Sequence, residues 1–158
     1  MAFEKGFKTS YNRDVNKYDT WSTPQWLFDQ VNDEFDFTTD VCASEGNHKC
    51  DNYYDKESNG LKQDWKGSCF CNPPYGSGVI DKWMEKAYES SKQGATVVCL
   101  VPSSTSTKWW HNYAMKGNIR FIMRKVKFNI DGREDSPAPF HSVLVIFRPN
   151  KTHRKEVA

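Results

Sequence analysis

The sequence predicts an α/β domain of three layers, with a mostly parallel central sheet and an antiparallel strand late in the chain. Three observations predict it. Leu27, Val31 and Phe35 recur every four residues, and Val79, Ile80, Trp83, Met84, Ala87 and Tyr88 fall on one side of a second helical segment. Thr96 to Val101 is a continuous apolar run between Gly94 and Pro102, the pattern of a strand buried on both faces. Strand-like segments then follow one another from Ile119 onward without a helix between them, which calls for antiparallel pairing late in the sheet.

Taken in order, residues 1–18 are polar without a sustained period and read as an N-terminal arm. Ser22 and Thr23 offer capping hydroxyls and Pro24 suits a first helical turn, so a helix is expected to open there. Phe37 to Val41 reads as a short strand, and residues 44–63 as irregular, with Gly46, Asn47, Asn59 and Gly60 as breakers. Ser68 to Cys71 is a strand ended by Pro73 and Pro74. Val79 to Gln93 is a helix stopped by Gly94, and a third helix is expected over Ser106 to Met115. Ile119 to Ile122, Lys125 to Ile130 and Ser142 to Phe147 close the domain as strands. The organisation expected is one domain over 19–150 followed by a basic tail, 151–158.

The 158 residues suit one hydrophobic core, and 37% apolar with 15% aromatic residues supports a packed globule. No run of about 18 apolar residues occurs and the first residues lack a secretory pattern, so a location inside a cell is expected. Five cysteines, Cys42, Cys50, Cys69, Cys71 and Cys99, lack a Cys-x2-Cys knuckle and are read as small buried hydrophobes, with no metal site. The net charge of +2 hides a division. Residues 1–95 hold 11 Lys/Arg against 16 Asp/Glu, whereas 96–158 hold 11 against 4. A basic second half is what a polyanion-binding face needs.

The segment that carries chemistry is Asn72-Pro73-Pro74-Tyr75. A residue before proline is pushed out of the α region, so Asn72 is held extended. Two prolines stiffen the turn and contribute no N–H. The Asn72 side-chain oxygen and the Pro73 carbonyl are then fixed acceptors, a pair suited to the two hydrogens of an –NH2 group. Tyr75 adds an aromatic face on which a base could stack.

Asn-Pro-Pro-Tyr after an apolar strand resembles the catalytic motif of amino-methyltransferases that act on adenine N6, cytosine N4 or glutamine amide nitrogen. Asp19 to Gln25, Asp40 to Ser44, Asn59 to Trp65, Lys108-Trp109-Trp110 and Arg124 to Phe128 extend the likeness over about residues 18–148. Together these resemble the phage-type, Dam-like DNA adenine N6-methyltransferases, which implies a Rossmann-like methyltransferase sheet. The resemblance implies S-adenosylmethionine as cofactor and S-adenosylhomocysteine as product. It also implies double-stranded DNA as partner, no metal, a monomer or weak dimer, and the cytoplasm of a bacterial host with a phage or prophage origin.

Position by position, the resemblance puts Thr23 and Pro24 at the cofactor carboxylate, with Ser22 an equal candidate for the hydroxyl. A helix N-terminus suits that anion. Asp40, Ala43 and Ser44 match the loop after the first strand, with Asp40 accepting from the cofactor ammonium. No Gly-x-Gly occurs there, so Ala43 and Ser44 are expected to allow the close backbone approach. Asp64 and Trp65 match the position that meets the cofactor adenine. Only 23 residues separate Asp40 from Asp64, which leaves Asn52, Tyr53 and Asp55 as open alternatives for the ribose.

Pro102 to Thr105 is expected to cap the next helix or to face the site. In Lys108-Trp109-Trp110 one indole is expected in the core and the other, Trp109, against a nucleobase, with Lys108 on DNA. Arg124, Lys127 and Phe128 lie in an alternating basic and apolar segment suited to phosphates and, at Phe128 or Phe140, to a flipped base. Asp131 to Pro139 reads as a loop near the site. Cytosine N4, RNA or a protein glutamine as acceptor, or a catalytically idle DNA-binding module, are the rival readings.

Overall fold

A computed structural model describes residues 21–130, 133–134 and 137–149. The arm (1–18), the tail (151–158), Asp19 and Thr20, and much of the 131–139 segment lie outside the described residues. The elements run α1 (Gln25–Phe35), β1 (Thr39–Asp40), β2 (Asn52–Tyr53), β3 (Ser68–Cys71), α2 (Ile80–Lys92), β4 (Thr96–Pro102), α3 (Lys108–Asn112), β5 (Asn118–Phe121), β6 (Asn129–Ile130), β7 (Arg133–Glu134) and β8 (Ser142–Phe147). Single 3-10 turns sit at Gly60–Lys62 and Ala114–Lys116.

Six strands form one sheet in the order β2-β1-β3-β4-β8-β5, and β6 pairs with β7 apart from it. β2, β1, β3 and β4 are parallel; β8 is antiparallel to β4 and to β5. This is the expected mostly parallel sheet with antiparallel pairing late in the chain. It has a Rossmann-like methyltransferase topology.

Register explains the layers. Asp40, Phe70, Val98 and Ile146 are cross-strand partners on one face, and Thr39, Cys69, Val97 and Phe147 on the other. α1 covers the first face: Phe28 meets Phe70 edge-on at 5.2 Å, and Glu34 pairs with Arg120 of β5. α2 covers the second, where Tyr88 packs on Phe147 at 6.0 Å. β4 and β8 are buried between these layers along nearly their whole length, because their runs of Val, Ile and Leu have no polar side to turn outward.

Several expected elements shift. The first strand is only Thr39–Asp40, and the irregular stretch contains β2, which pairs with β1 after an 11-residue connection without a helix. The third helix shortens to Lys108–Asn112, capped by Thr107, whose hydroxyl accepts from the Trp110 amide. Thr107, and not Ser103 to Thr105, therefore supplies the cap. Of Lys125 to Ile130 only the last two residues form a strand, yet Val126 and Phe128 are buried while Lys125 and Lys127 are exposed, so the alternation survives without a ladder. Gly94 ends α2's turn at φ 115°, a conformation that a side chain would resist.

All five cysteines are free thiols. Burial pushes Cys69 up to about 12 and Cys50 up to about 11, and holds Cys71 well above its ordinary value. Cys69, Cys71 and Cys99 are the buried hydrophobes expected from their contexts, whereas Cys42 and Cys50 are only partly buried and Cys42 lines a cavity.

Candidate active site

A cavity of ≈ 1010 Å³ lies where the parallel strands end. Its walls come from the segments after β1, β2 and β3, from Trp21–Thr23 before α1, and from Phe128–Asn129. The size is at the upper end of the roughly 300–1,000 Å³ usual for small-molecule sites, so it has room for a nucleotide-sized cofactor with a base beside it. The carboxyl edge of a parallel sheet is where α/β folds place ligands.

Asn72 follows β3 directly and, with Pro73, Pro74 and Tyr75, lines this cavity. Its amide is held from both sides. Nδ2 donates to Thr23 Oγ1 at 3.2 Å, and Oδ1 accepts from the Tyr75 hydroxyl at 2.6 Å. A carbonyl oxygen has two lone pairs, so one acceptor site on Oδ1 remains for a ligand. The Tyr75 hydroxyl also lies 3.0 Å from the Leu100 carbonyl of β4. Burial, with Cys71 nearby, holds the phenol well above its ordinary value, so it stays a donor.

The sequence suggested Tyr75 as a stacking face. Its ring is instead buried edge-on against Phe140 at 5.4 Å and Phe128 at 6.3 Å, and its hydroxyl positions Asn72. Trp21, which the sequence did not single out, stacks on Phe128 at 5.4 Å and faces the cavity. The signal was an aromatic residue just before the helix start.

Asp40 ends β1 with 4% of its surface exposed. Its carboxylate accepts from the backbone amides of Lys49 at 3.0 Å and Cys42 at 3.3 Å. Burial nevertheless dominates and pushes it up to about 6. Lys49 also lines the cavity, and its ammonium donates to Gln25 at 3.0 Å. Lys49 was not anticipated, because the irregular stretch around it gave no pattern.

Neither hydroxyl before α1 caps the helix. The cap position is Pro24, without a side-chain bond; Ser22 donates to Asn47 at 2.8 Å, and Thr23 is tied to Asn72. The first amides of α1 are thus left without a side-chain acceptor, the arrangement that favours an anion.

Ala43 and Ser44 line the cavity, whereas Pro24, buried, does not. A glycine from another segment packs closely against the backbone that follows β1. A Cβ on Gly60 would lie 2.1 Å from the Val41 carbonyl and 3.1 Å from the Trp83 ring. Asp64 is exposed and outside the cavity, and Trp65 is core, its indole donating to the Gly60 carbonyl at 2.8 Å. The side chains that do flank that end are Asn59, Trp83, Asp55 and Glu57, while Asn52 and Tyr53 stay outside.

On the expected DNA side, Lys108, Arg124 and Lys127 are exposed and Phe128 is a buried wall of the cavity. Trp109 is corrected: with Trp109 at 7% and Trp110 at 5% exposure, both indoles pack in the core, their rings meeting edge-on at 5.9 Å. Among the described residues no group of three or more His, Cys, Asp or Glu is arranged to hold a metal, and no helix is long and apolar enough to cross a membrane.

Comparison with known proteins places this geometry. Residues 10–158 match the family profile described as DNA N-6-adenine-methyltransferase (Dam). A protein of Haemophilus phage HP1 named DNA N-6-adenine-methyltransferase is 32% identical over 153 residues, covering 89% of this chain and 85% of the relative. A protein of the same name from Escherichia phage T1 is 30% identical over 120 residues, covering 73% of this chain and 50% of the relative.

Proposed function

The chain belongs to the DNA N-6-adenine-methyltransferase (Dam) family, and we propose that its Asn72-centred cavity receives an adenine flipped out of duplex DNA and orients its amino group for methylation. The family assigns the reaction, methyl transfer to adenine N6 in DNA, and implies S-adenosylmethionine as donor. When bound, that cofactor supplies an electrophilic methyl on a sulfonium.

The residues fit such a cofactor. Asp40 is a buried carboxylate on the cavity wall, held above its ordinary value by desolvation, and a ligand ammonium beside it would stabilise its charge. The uncapped start of α1 and the Thr23 hydroxyl suit a carboxylate. Ala43 and Ser44 border the same space. For the ribose, Asp55 and Glu57 are better positioned than Asn52 or Tyr53, and for the adenine Asn59 and Trp83 better than Asp64 or Trp65.

Asn72 carries the reading. Its amide is fixed by Thr23 on one side and Tyr75 on the other, so the free lone pair of Oδ1 has one direction. A bound amino group donating to it and to the Pro73 carbonyl would have its nitrogen lone pair turned toward the donor. Rate then comes from orientation and from acceptors set for positive charge developing on nitrogen. The methylated nitrogen becomes acidic and loses its proton afterwards. The reading calls on no metal and takes the protein to act as a monomer or weak dimer. Lys108, Arg124 and Lys127 would meet phosphates, while Phe128, buried behind Trp21, backs the cavity wall rather than meeting the base itself.

Asn72→Ala tests this. Methylated adenosine, measured by mass spectrometry of digested DNA, should vanish, while cofactor affinity by calorimetry changes less than about threefold, the effect of one peripheral hydrogen bond. Undiminished N6-methyladenosine would remove Asn72 from the reaction.

A further inference from the structure

One surface at the same edge of the sheet carries two exposed apolar side chains that the chemistry above leaves unused. β5 is antiparallel to β8, and β8 to β4, so β5 ends at the same sheet edge as β3 and β4. Phe121 pairs with Val143, which pairs with Val101. At about 4.7–4.9 Å between strands, Phe121 lies roughly 10 Å across the sheet from the end of β4. From there the chain leads to Phe128 in the cavity wall, so Met123 lies at most about 18 Å from it along five residues.

The start of this link is unusual. Phe121 is 80% exposed and Met123 88% exposed. The chain bends at Met123-Arg124, where Arg124 adopts φ 69°, a left-handed conformation rare for a residue with a side chain. Arg124, Lys125 and Lys127 are exposed around the bend, and residues 116–130 contain five Lys/Arg without one Asp or Glu. Two bare apolar side chains inside a cationic surface are costly in water and fit a partner that is anionic outside and apolar within. Duplex DNA has that chemistry, phosphates outside and stacked bases within. A second copy of this chain would set cation against cation.

We propose that Phe121 and Met123 form a wedge that enters the base stack beside the flipped adenine, while Arg124, Lys125 and Lys127 neutralise the flanking phosphates. The proposal rests on the duplex-adenine reading above. Apolar side chains inserted at a base step offset the loss of stacking when a nucleotide leaves the helix. Met suits the slot, being unbranched and adaptable, and Phe121 closes it from the strand side.

The test compares one adenine site in a duplex and in the corresponding single strand. Met123→Ala and Phe121→Ala should lower kcat/KM on the duplex about tenfold, given the few kcal/mol that unstacking costs, and leave single-strand methylation within about twofold. Met123→Leu should restore the duplex rate. Lys125→Ala should weaken binding to both substrates and flatten the salt dependence. Full duplex activity in both alanine variants, or equal losses on the two substrates, would overturn the wedge. A wild-type chain inactive on both DNAs would overturn the methyltransferase reading itself, and the wedge with it.

Discussion

Thr23 Oγ1 accepts the Asn72 amide proton at 3.2 Å, so a residue two positions ahead of α1 and the residue after β3 share one bond across 49 positions of sequence. On the proposed reading, this ties the carboxylate end of the cofactor site to the catalytic amide. Thr23→Val keeps the shape and deletes the acceptor, leaving a part-buried N–H without its partner. The expected loss is about 1–2 kcal/mol, or roughly 5–30-fold in kcat/KM. Thr23→Ser should retain most activity. A purely cofactor-binding hydroxyl would raise the cofactor KM alone; steady-state kinetics with both substrates varied should show kcat falling too.

Tyr75→Phe addresses the other side of the same amide. The ring would stay packed on Phe140 and Phe128, and only the hydroxyl bonded to Asn72 and Leu100 is lost. A net hydrogen-bond contribution of about 0.5–1.5 kcal/mol predicts a loss of roughly 2–12-fold in kcat. Were Tyr75 only a stacking face, the substitution would be silent in single-turnover rates.

What the sequence allowed to be read follows from where the information is local. Asn72 was legible because the two prolines after it restrict its own backbone, and β4 because seven residues between Gly94 and the chain turn have no polar side. β2 was not, since its two residues carry no apolar pattern and lie between turn-forming neighbours, and the Asn52 side chain that ties it to Thr39 of β1 at 2.8 Å is a tertiary contact. The two indoles of α3 could not be sorted either: one and a half turns of helix do not define a face. Asp64 lies next in sequence to a residue of the right type, but Trp65 turns inward to bond Gly60, which leaves Asp64 on the outside. Such pairings are set by tertiary contacts that a linear pattern does not contain.

Asp40 gives the site a pH dependence whose sign can be worked out. Its carboxyl is at about 6 when folded against an ordinary 3.8, raised by burial against the opposing pull of the Lys49 and Cys42 amides, Lys49 and His48. Between those values the folded chain binds the proton more tightly than the unfolded one. Stability of the ligand-free protein should therefore fall as pH rises from about 4 through 6, by about 3 kcal/mol in total. Cofactor affinity should move the other way. Its ammonium needs the ionised carboxylate, so the dissociation constant should rise toward tenfold per pH unit below about 6. Asp40→Asn should abolish both slopes, read by thermal melting without ligand and by calorimetry with cofactor between pH 5 and 8. A wild-type affinity flat over that range would break the link between Asp40 and the ammonium.

Gly60 packs tightly against the backbone that follows β1. Its Cα faces the Val41 carbonyl so closely that a methyl group would sit 2.1 Å from that oxygen, with the Trp83 ring 3.1 Å away on another side. Trp65 fixes the arrangement by donating to the Gly60 carbonyl, and Asn59 presents it in a left-handed turn, its side chain accepting from Leu61. Gly60→Ala must displace backbone, because neither the carbonyl nor the packed indole can swing away as a flexible side chain would. Overpacking of this kind costs about 1–3 kcal/mol, which for a chain of this size is a fall of roughly 2–12 °C in Tm. The displaced residue adjoins both Asp40 and Cys42, so the damage should reach the cofactor: its dissociation constant should rise further than that of Lys62→Ala, a change in the same turn at an exposed side chain. Equal melting temperature and equal cofactor affinity in Gly60→Ala would show that the turn yields without strain and that the close approach has no role in shaping the site.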